Sequence, residues 1–445
     1  MSSRLAIAGQ IMLRKFEKVY VVVSMLFFAG GLIQRAVAEN DPTARTGPDY
    51  AYQVGAVIIY AILMPLVLFH WREMIQGLLR SGWIIAICFL AGVSSAWSYK
   101  RIYTLRHALL LSLLTLFAIY IASCFDWEEQ LNLFGWLSVI TIVGSCFMAV
   151  FIPSYGISQD VHAGAVKGLF PHKNIFGRQV VFAILTLAIA KPFGIPRWFR
   201  FGTVVIGCGL LALSNAGTSI LAMVACVLMY PILHLLKFSG KKTLPLWVPF
   251  VPLFAMGLFL VMSNYGLVVE ATGRNNTLTG RIPIWKVVLG EIGKHPWFGY
   301  GHDIFWNNFT ASLATVRYVL GYLPPHAHNG YLDVLLGMGI VGLIVFLAGL
   351  LTSVWRAGTL FRSDCVAGAK WPLLMLVFFA VFNMGESSIL RQTTFLWIPY
   401  VTIYVSLGLM AAKKHDATAD GPEIVGGVAF GTGRMANGVL PGYGT

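Results

Sequence analysis

Residues 331–351 read YLDVLLGMGIVGLIVFLAGLL, a run of 21 positions with a single charge, Asp333. As a helix rising ~1.5 Å per residue, it spans the ~30 Å hydrocarbon core of a bilayer. Runs of the same kind recur to either side, and the chain is read as spans near 17–37, 51–69, 82–97, 105–124, 131–152, 175–190, 199–214, 217–236, 244–262, 331–351, 371–388 and 394–412. Composition agrees. Only 11% of residues are charged and 57% are hydrophobic, against roughly 25% charged in a soluble domain. The sequence therefore predicts an all-α integral membrane protein of about twelve transmembrane helices.

Charge orients the spans. With the N-terminus inside, and with the long 263–330 segment and the C-terminal tail set aside, Lys and Arg favour the inner loops by 17 to 9. Long loops are left out because their charge says little about topology. The bias predicts N- and C-termini in the cytoplasm. The acidic loop Asp126, Glu128, Glu129 falls on the inner side, but acids weigh little in this rule. The net charge of +14 lies in short clusters between apolar runs, which excludes a nucleic-acid-binding module. The six cysteines, at 88, 124, 146, 208, 226 and 365, have no metal-ligand spacing and read as small hydrophobes.

Residues 1–414 form the membrane domain, and the Gly-rich polar stretch 415–445 reads as a disordered cytoplasmic tail. Two outward segments interrupt the spans: 153–174, rich in Gly and His, and 263–330, long enough to require structure or function of its own. In the second, Ile284, Trp285, Val288, Leu289 and Ile292 make a helical stripe, predicting a short helix on the membrane surface. No internal repeat appears, and polar groups gather at one face, which disfavours a transporter or flippase.

Cations are more numerous outside than the topology rule requires. Arg101, Arg106, Lys167, Lys173, Arg178, Arg274, Arg281 and Arg391 lie in outward loops or at outer span ends. Each alone has a topological explanation, because charges near span ends snorkel to the interface. Together they suit an anionic ligand with phosphate oxygens. The outward acids are scattered, with no Asp-x-Asp pair for a divalent ion at a diphosphate, so neither metal nor cofactor is expected. The stretch Pro324-Pro325-His326-Ala327-His328-Asn329-Gly330 places two histidines before a span, and either can take a proton from a sugar hydroxyl. In an extended segment, residues one apart project to opposite sides, so the two rings are not expected to chelate one metal.

Four blocks then form a pattern: Gly280-Arg281-Ile282-Pro283-Ile284-Trp285, His295-Pro296-Trp297-Phe298-Gly299-Tyr300-Gly301, His326-Ala327-His328-Asn329-Gly330-Tyr331-Leu332, and Gly337-Met338-Gly339-Ile340-Val341-Gly342. In this order they resemble the O-antigen ligase and Wzy-type polymerase superfamily. Ser95-Ala96-Trp97-Ser98 with Thr104-Leu105-Arg106, and Gly168-Leu169-Phe170-Pro171-His172-Lys173-Asn174-Ile175-Phe176-Gly177, extend the resemblance over residues 90–400, most like exopolysaccharide polymerases of the ExoQ type. The resemblance implies a GT-C-like glycosyltransferase of the bacterial inner membrane with a periplasmic active site. Without metal, it would pass a glycan from undecaprenyl diphosphate to another lipid-linked repeat unit, or, as a ligase, to lipid A-core. Membrane lipid and, as partners, a chain-length regulator, a flippase and export proteins follow from the same resemblance. It places His328 as base with His326 in reserve. It places Arg281, Arg178, Lys173, Arg274, Arg106, Arg391, Asn329 and Tyr331 at the diphosphate or glycan. One departure stands out: relatives carry a basic residue in a serine-rich turn where this chain has Gly217, in Leu213-Ser214-Asn215-Ala216-Gly217-Thr218-Ser219, and Arg391 is the candidate substitute.

Overall fold

The computed structural model describes residues 2–30, 50–159, 163–192, 194–238, 281–307, 311–363 and 368–419. The expected span 244–262, Arg274 and the tail from 420 onward lie outside them. The chain divides into two compact units, Met1–Leu409 and Met410–Thr445; residues 410–419 of the second are helical.

Among the described residues the fold is helical, with one isolated β-bridge between Ile157 and Val166. The helices are α1 (Ser2–Phe28), α2 (Tyr50–Phe69), α3 (Trp71–Leu79), α4 (Gly82–Val93), α5 (Arg101–Cys124), α6 (Trp127–Phe151), α7 (Lys173–Leu185), α8 (Arg197–Leu213), α9 (Gly217–Phe238), α10 (Arg281–Lys294), α11 (Ala311–Leu320), α12 (Gly330–Ser363), α13 (Trp371–Gly385) and α14 (Trp397–Ala419). Five segments are long and apolar enough to cross a membrane: Tyr52–Phe69, Arg101–Cys124, Trp127–Phe151, Lys173–Ala190 and Gly330–Arg362. The α3–α4 pair, bent by 87°, makes a sixth if counted as one span. The protein is an integral membrane protein.

Nearly every side of α13 is buried, from Trp371 to Gly385. A helix apolar all round belongs inside a bundle. Its Trp371 lies against Trp127, Phe134 and Phe182, with ring centroids 5.5–6.4 Å away. The indole N–H donates to Thr186 Oγ1 at 3.1 Å, so this buried polar atom is satisfied. At the other end of α13, buried Asn383 accepts from the backbone N–H of Ser388 and Ile389 at 2.7 and 3.1 Å. That side chain curls the chain back over the helix end and fixes Glu386 in place.

The acidic loop finds its explanation here. Asp126 caps α6 by accepting from Glu129 N, and Glu129 pairs with Arg14 and Lys18 of α1. Glu17, buried in α1, contacts His70 Nε2 at 2.6 Å.

The long helix α12 is broken at Gly339, where φ is 63° and ψ −163°. A segment from the neighbouring motif fills the break. Ile340 N and Val341 N donate to the carbonyls of Pro296 and Trp297 at 2.8 and 3.2 Å. In return, Tyr300 N and Gly301 N donate to Leu336 and Gly337 at 2.8 and 2.9 Å. The His295–Gly301 and Gly337–Gly342 blocks are therefore the two halves of one backbone joint, and a Cβ at Gly339 would strike the Trp297 carbonyl. Upstream, Trp97 Nε1 donates to Phe298 O at 3.1 Å and Ser94 Oγ accepts from His302 N at 2.9 Å, tying the end of α4 to the same joint.

The predicted helix at Ile282–Ile292 forms as α10, and part of its stripe faces protein. Ile284 and Val288 are buried with Phe305, Trp306, Leu313, Val316, Ala327 and Leu336. The segment has a small core of its own that takes up Ile284 and Val288, with Trp285 and Ile292 packed against it, while Leu289 stays 56% exposed.

Replacing Gly339 by Ala forces a side chain into the left-handed region against backbone, and should cost about 1–3 kcal/mol. Gly290→Ala on α10, where a Cβ meets nothing within 4 Å, should cost nothing. Thermal melting of the purified proteins in detergent checks both; equal melting for the two variants would contradict the joint.

Candidate active site

The site grows from the loop before α12. Ala327 is fully buried; its N–H donates to Asp333 Oδ1 at 3.1 Å and its carbonyl accepts from Trp285 Nε1 at 2.9 Å. Asp333 Oδ1 also accepts from Trp306 Nε1 at 2.8 Å. Asn329 Oδ1 accepts from the N–H groups of Tyr331 and Leu332, capping α12. Tyr331 OH donates to Ala380 O at 3.0 Å, joining α12 to α13. Asn329 and Tyr331 thus hold the scaffold on which the histidines sit.

His328 has a φ of 50°, a left-handed backbone that non-glycine residues seldom adopt. This overturns the extended geometry expected for the pair. With His328 turned back, the two rings lie 4.2 Å apart and His326 Nδ1 accepts from His328 N at 3.1 Å.

Both histidines border Glu386, which is 8% exposed. Its Oε1 accepts from Arg281 Nη2 at 2.9 Å and from Asn174 Nδ2 at 2.7 Å. Its Oε2 lies 3.3 Å from His328 Nδ1. The backbone carbonyl of Glu386 accepts from Gly330 N at 3.2 Å. Burial by itself raises the carboxyl's pKa, but His328 and Arg281 outweigh it and hold the value at about 2. The opposite happens at His326: burial, Arg391 and His328 hold it well below the ordinary imidazole range.

The sequence-predicted cations divide. Arg281 reaches Glu386 and, through Nη1, Thr218 Oγ1 at 3.1 Å. Arg178 lies one turn beyond Asn174 on α7, is 6% exposed, donates from Nη1 to Ser388 Oγ at 3.3 Å, and has no partner for its Nε among the described residues. A buried guanidinium short of acceptors is suited to an incoming anion. Lys173 opens the same helix, behind the His172 side chain that caps it. Arg391 sits 3.6 Å from Asp333 Oδ2, on the histidine side of the site. Arg106 pairs with Gln53 Oε1 at 2.9 Å. The serine-rich turn does reach the site: Arg281 touches it at Thr218, and a Cβ at Gly217 would meet open space.

His326, His328 and Glu386 each bring one possible ligand atom within 4.8 Å of the others, which suits a transition metal by donor type. The carboxylate, however, is already shared with the Arg281 guanidinium, and a dication beside it would meet a like charge. A second polar group flanks the loop. His107 Nδ1 lies 2.8 Å from Asp303 Oδ2, close to Gln392, beside a small cavity lined by His302, Asp303, Asp333 and Arg391.

Glu386, Asn174, Thr218 and Ser388 are site residues that the sequence analysis does not single out. Asn174 and Thr218 lay within quoted motifs. Glu386 had no such signal, because its partners come from positions 174, 281 and 328.

Residues 202–347 match the family model described as Wzy_C, O-antigen ligase. The chain is also 22% identical over 314 residues, 68% of its length and 71% of the relative's, to the exopolysaccharide production protein ExoQ of Rhizobium meliloti (strain 1021). The resemblance to the O-antigen ligase and Wzy-type superfamily holds. The Wzy_C match covers α10, both histidines and the backbone joint of α12; Glu386, Asn174 and Arg178 lie outside it. Together the two similarities support a membrane enzyme of polysaccharide assembly, of the O-antigen ligase or polymerase type.

Asp333→Ala leaves the Ala327 N–H and the Trp306 indole N–H without their acceptor, at about 1–3 kcal/mol for each buried group, whereas Asp333→Asn keeps the Oδ1 acceptor. Thermal melting should fall clearly in the first and little in the second; an unchanged Asp333→Ala protein would contradict the anchoring of the loop.

Proposed function

We propose that the protein polymerises undecaprenyl-diphosphate-linked oligosaccharide repeat units at the periplasmic face of the inner membrane. The supporting observation is the convergence of His328, Arg281, Asn174 and buried Arg178 on Glu386 and its neighbour Ser388, from motifs far apart in sequence. In this reading His328 takes the proton from an acceptor hydroxyl as its oxygen attacks the anomeric carbon of the donor. The bond from that carbon to the phosphate oxygen breaks, and the leaving diphosphate keeps the electron pair. Arg281 and Arg178 neutralise that charge where a metal ion would otherwise do so, with Lys173 and Arg274 as further cations. Much of the remaining rate comes from holding acceptor and donor in line.

The topology proposed with it has twelve spans, both termini cytoplasmic and a GT-C-like arrangement. The donor reaches the enzyme through the membrane, and a chain-length regulator, a flippase and export proteins are the proposed partners. Ligase activity toward lipid A-core is the second reading, favoured by the description of the matched family; the ExoQ similarity favours polymerisation.

Purified protein given lipid-linked repeat units, EDTA and no lipid A-core should make a ladder of longer lipid-linked glycans. Transfer that appears only after lipid A-core is added would make the protein a ligase, and a ladder abolished by EDTA would contradict the metal-free chemistry. In the same assay His328→Ala should lower the rate by about 10²–10⁴. Arg281→Ala should lower the rate by about 10²–10³, with Arg281→Lys intermediate because a lysine keeps the charge but not the fork. Normal yield from both alanine variants would remove these residues from the site.

A further inference from the structure

Glu386 touches both halves of the site through different oxygens. Oε1 takes the Arg281 and Asn174 donors, while Oε2 faces His328 Nδ1. An ionised carboxylate offers only lone pairs, so the group that meets it at 3.3 Å is an Nδ1–H. A neutral imidazole protonated on Nδ1 carries its lone pair on Nε2. His326 lies the other way round: its Nδ1 accepts the His328 backbone N–H, which places the proton of the neutral ring on Nε2 and leaves it no lone pair for a substrate.

We infer that Glu386 is a positioning residue that fixes His328 in the Nδ1–H form and aims its Nε2 lone pair at the acceptor hydroxyl, while the His328 backbone N–H on His326 Nδ1 keeps His326 from serving as the base. The inference rests on the proposed glycosyl transfer. Once the hydroxyl proton has moved to Nε2, the same carboxylate stabilises the imidazolium, as an oriented carboxylate does for a catalytic histidine elsewhere. Local structure is shaped to this contact. The left-handed backbone at His328, the Asn383 clamp at the end of α13, and the bond from Gly330 N to the Glu386 carbonyl each bring ring and carboxylate together. Glu386 makes and breaks no covalent bond.

Glu386→Gln tests this because a glutamine has one oxygen where the carboxylate has two. Arg281, which can only donate, claims that oxygen, and Asn174 can donate to it as well. The amide NH2 then faces His328 Nδ1 and donates to it, moving the ring proton to Nε2 and blocking the base. In the full chain reconstituted in lipid, ¹⁵N-histidine solid-state NMR, assigned by the resonances lost in His328→Gln, should show Nδ1–H in the wild type and Nε2–H in Glu386→Gln. With lipid-linked repeat units, Glu386→Gln should lose roughly 10²–10⁴ in kcat with little change in the donor KM, and Glu386→Asp should recover part of the loss. Adding His328→Ala to Glu386→Gln should cost no more than His328→Ala alone, because residues acting as a unit are not additive.

The NMR readout needs no substrate, so it separates the two ideas. An unchanged tautomer in Glu386→Gln overturns the inference even if polymer is lost, as do losses that multiply in the double variant. A switched tautomer with full activity instead overturns His328 as the base, and the proposed mechanism with it.

Discussion

An ionised carboxylate buried beside an arginine, an asparagine and a histidine is expensive to desolvate, and it is tolerated because every lone pair in use has a donor. Glu386 is that carboxylate, and the arrangement of the described loops around it follows from satisfying it. Arg281 starts α10 where it can reach both Glu386 and Thr218. Asn174 stands in the first turn of α7 facing the same oxygen. His328 adopts a left-handed backbone that brings its ring to the other. Removing the carboxylate would leave an arginine and a histidine close together with nothing between them.

Such a centre needs a rigid support, and α13 provides it. Its uniformly apolar surface buries it within the bundle, and its one internal amide, Asn383, turns the following chain back on itself. A second constraint is the joint in α12. There two glycine-rich blocks exchange backbone hydrogen bonds across the break at Gly339, which lets a long, apolar helix start in an irregular loop with its polar backbone groups paired.

The helical membrane architecture was legible because hydropathy reports it directly: the apolar runs at 105–124, 131–152, 175–190 and 331–351 correspond to helices long enough to span. The helix at 281–294 was legible from its period, but its environment was not, since a stripe on Ile284 and Val288 packs equally well on lipid or on Phe305 and Trp306. The histidine geometry was misread for a local reason. Spacing alone implies opposite faces, and only the hydrogen bonds around Ala327 and Asn329 reveal the turn. Glu386 was illegible for a non-local reason: its partners lie 212, 105 and 58 positions away. Arg178 was legible in part. A cation one turn inside an apolar run costs ~2.5–3.5 kcal/mol on insertion scales unless satisfied, yet a charge near a span end also snorkels, so its position alone did not separate a structural role from a functional one.

We propose that the donor diphosphate meets the base at the Glu386-centred cluster. An experimental structure of the full chain bound to undecaprenyl diphosphate tests it most directly. The predicted result has phosphate oxygens within hydrogen-bonding distance of the Arg281 and Arg178 guanidinium groups, while His328 keeps its Nδ1 on Glu386 and turns Nε2 toward the terminal phosphate, where the glycan would be attached. A diphosphate held away from both arginines, for example beside His107 and Asp303, would contradict it.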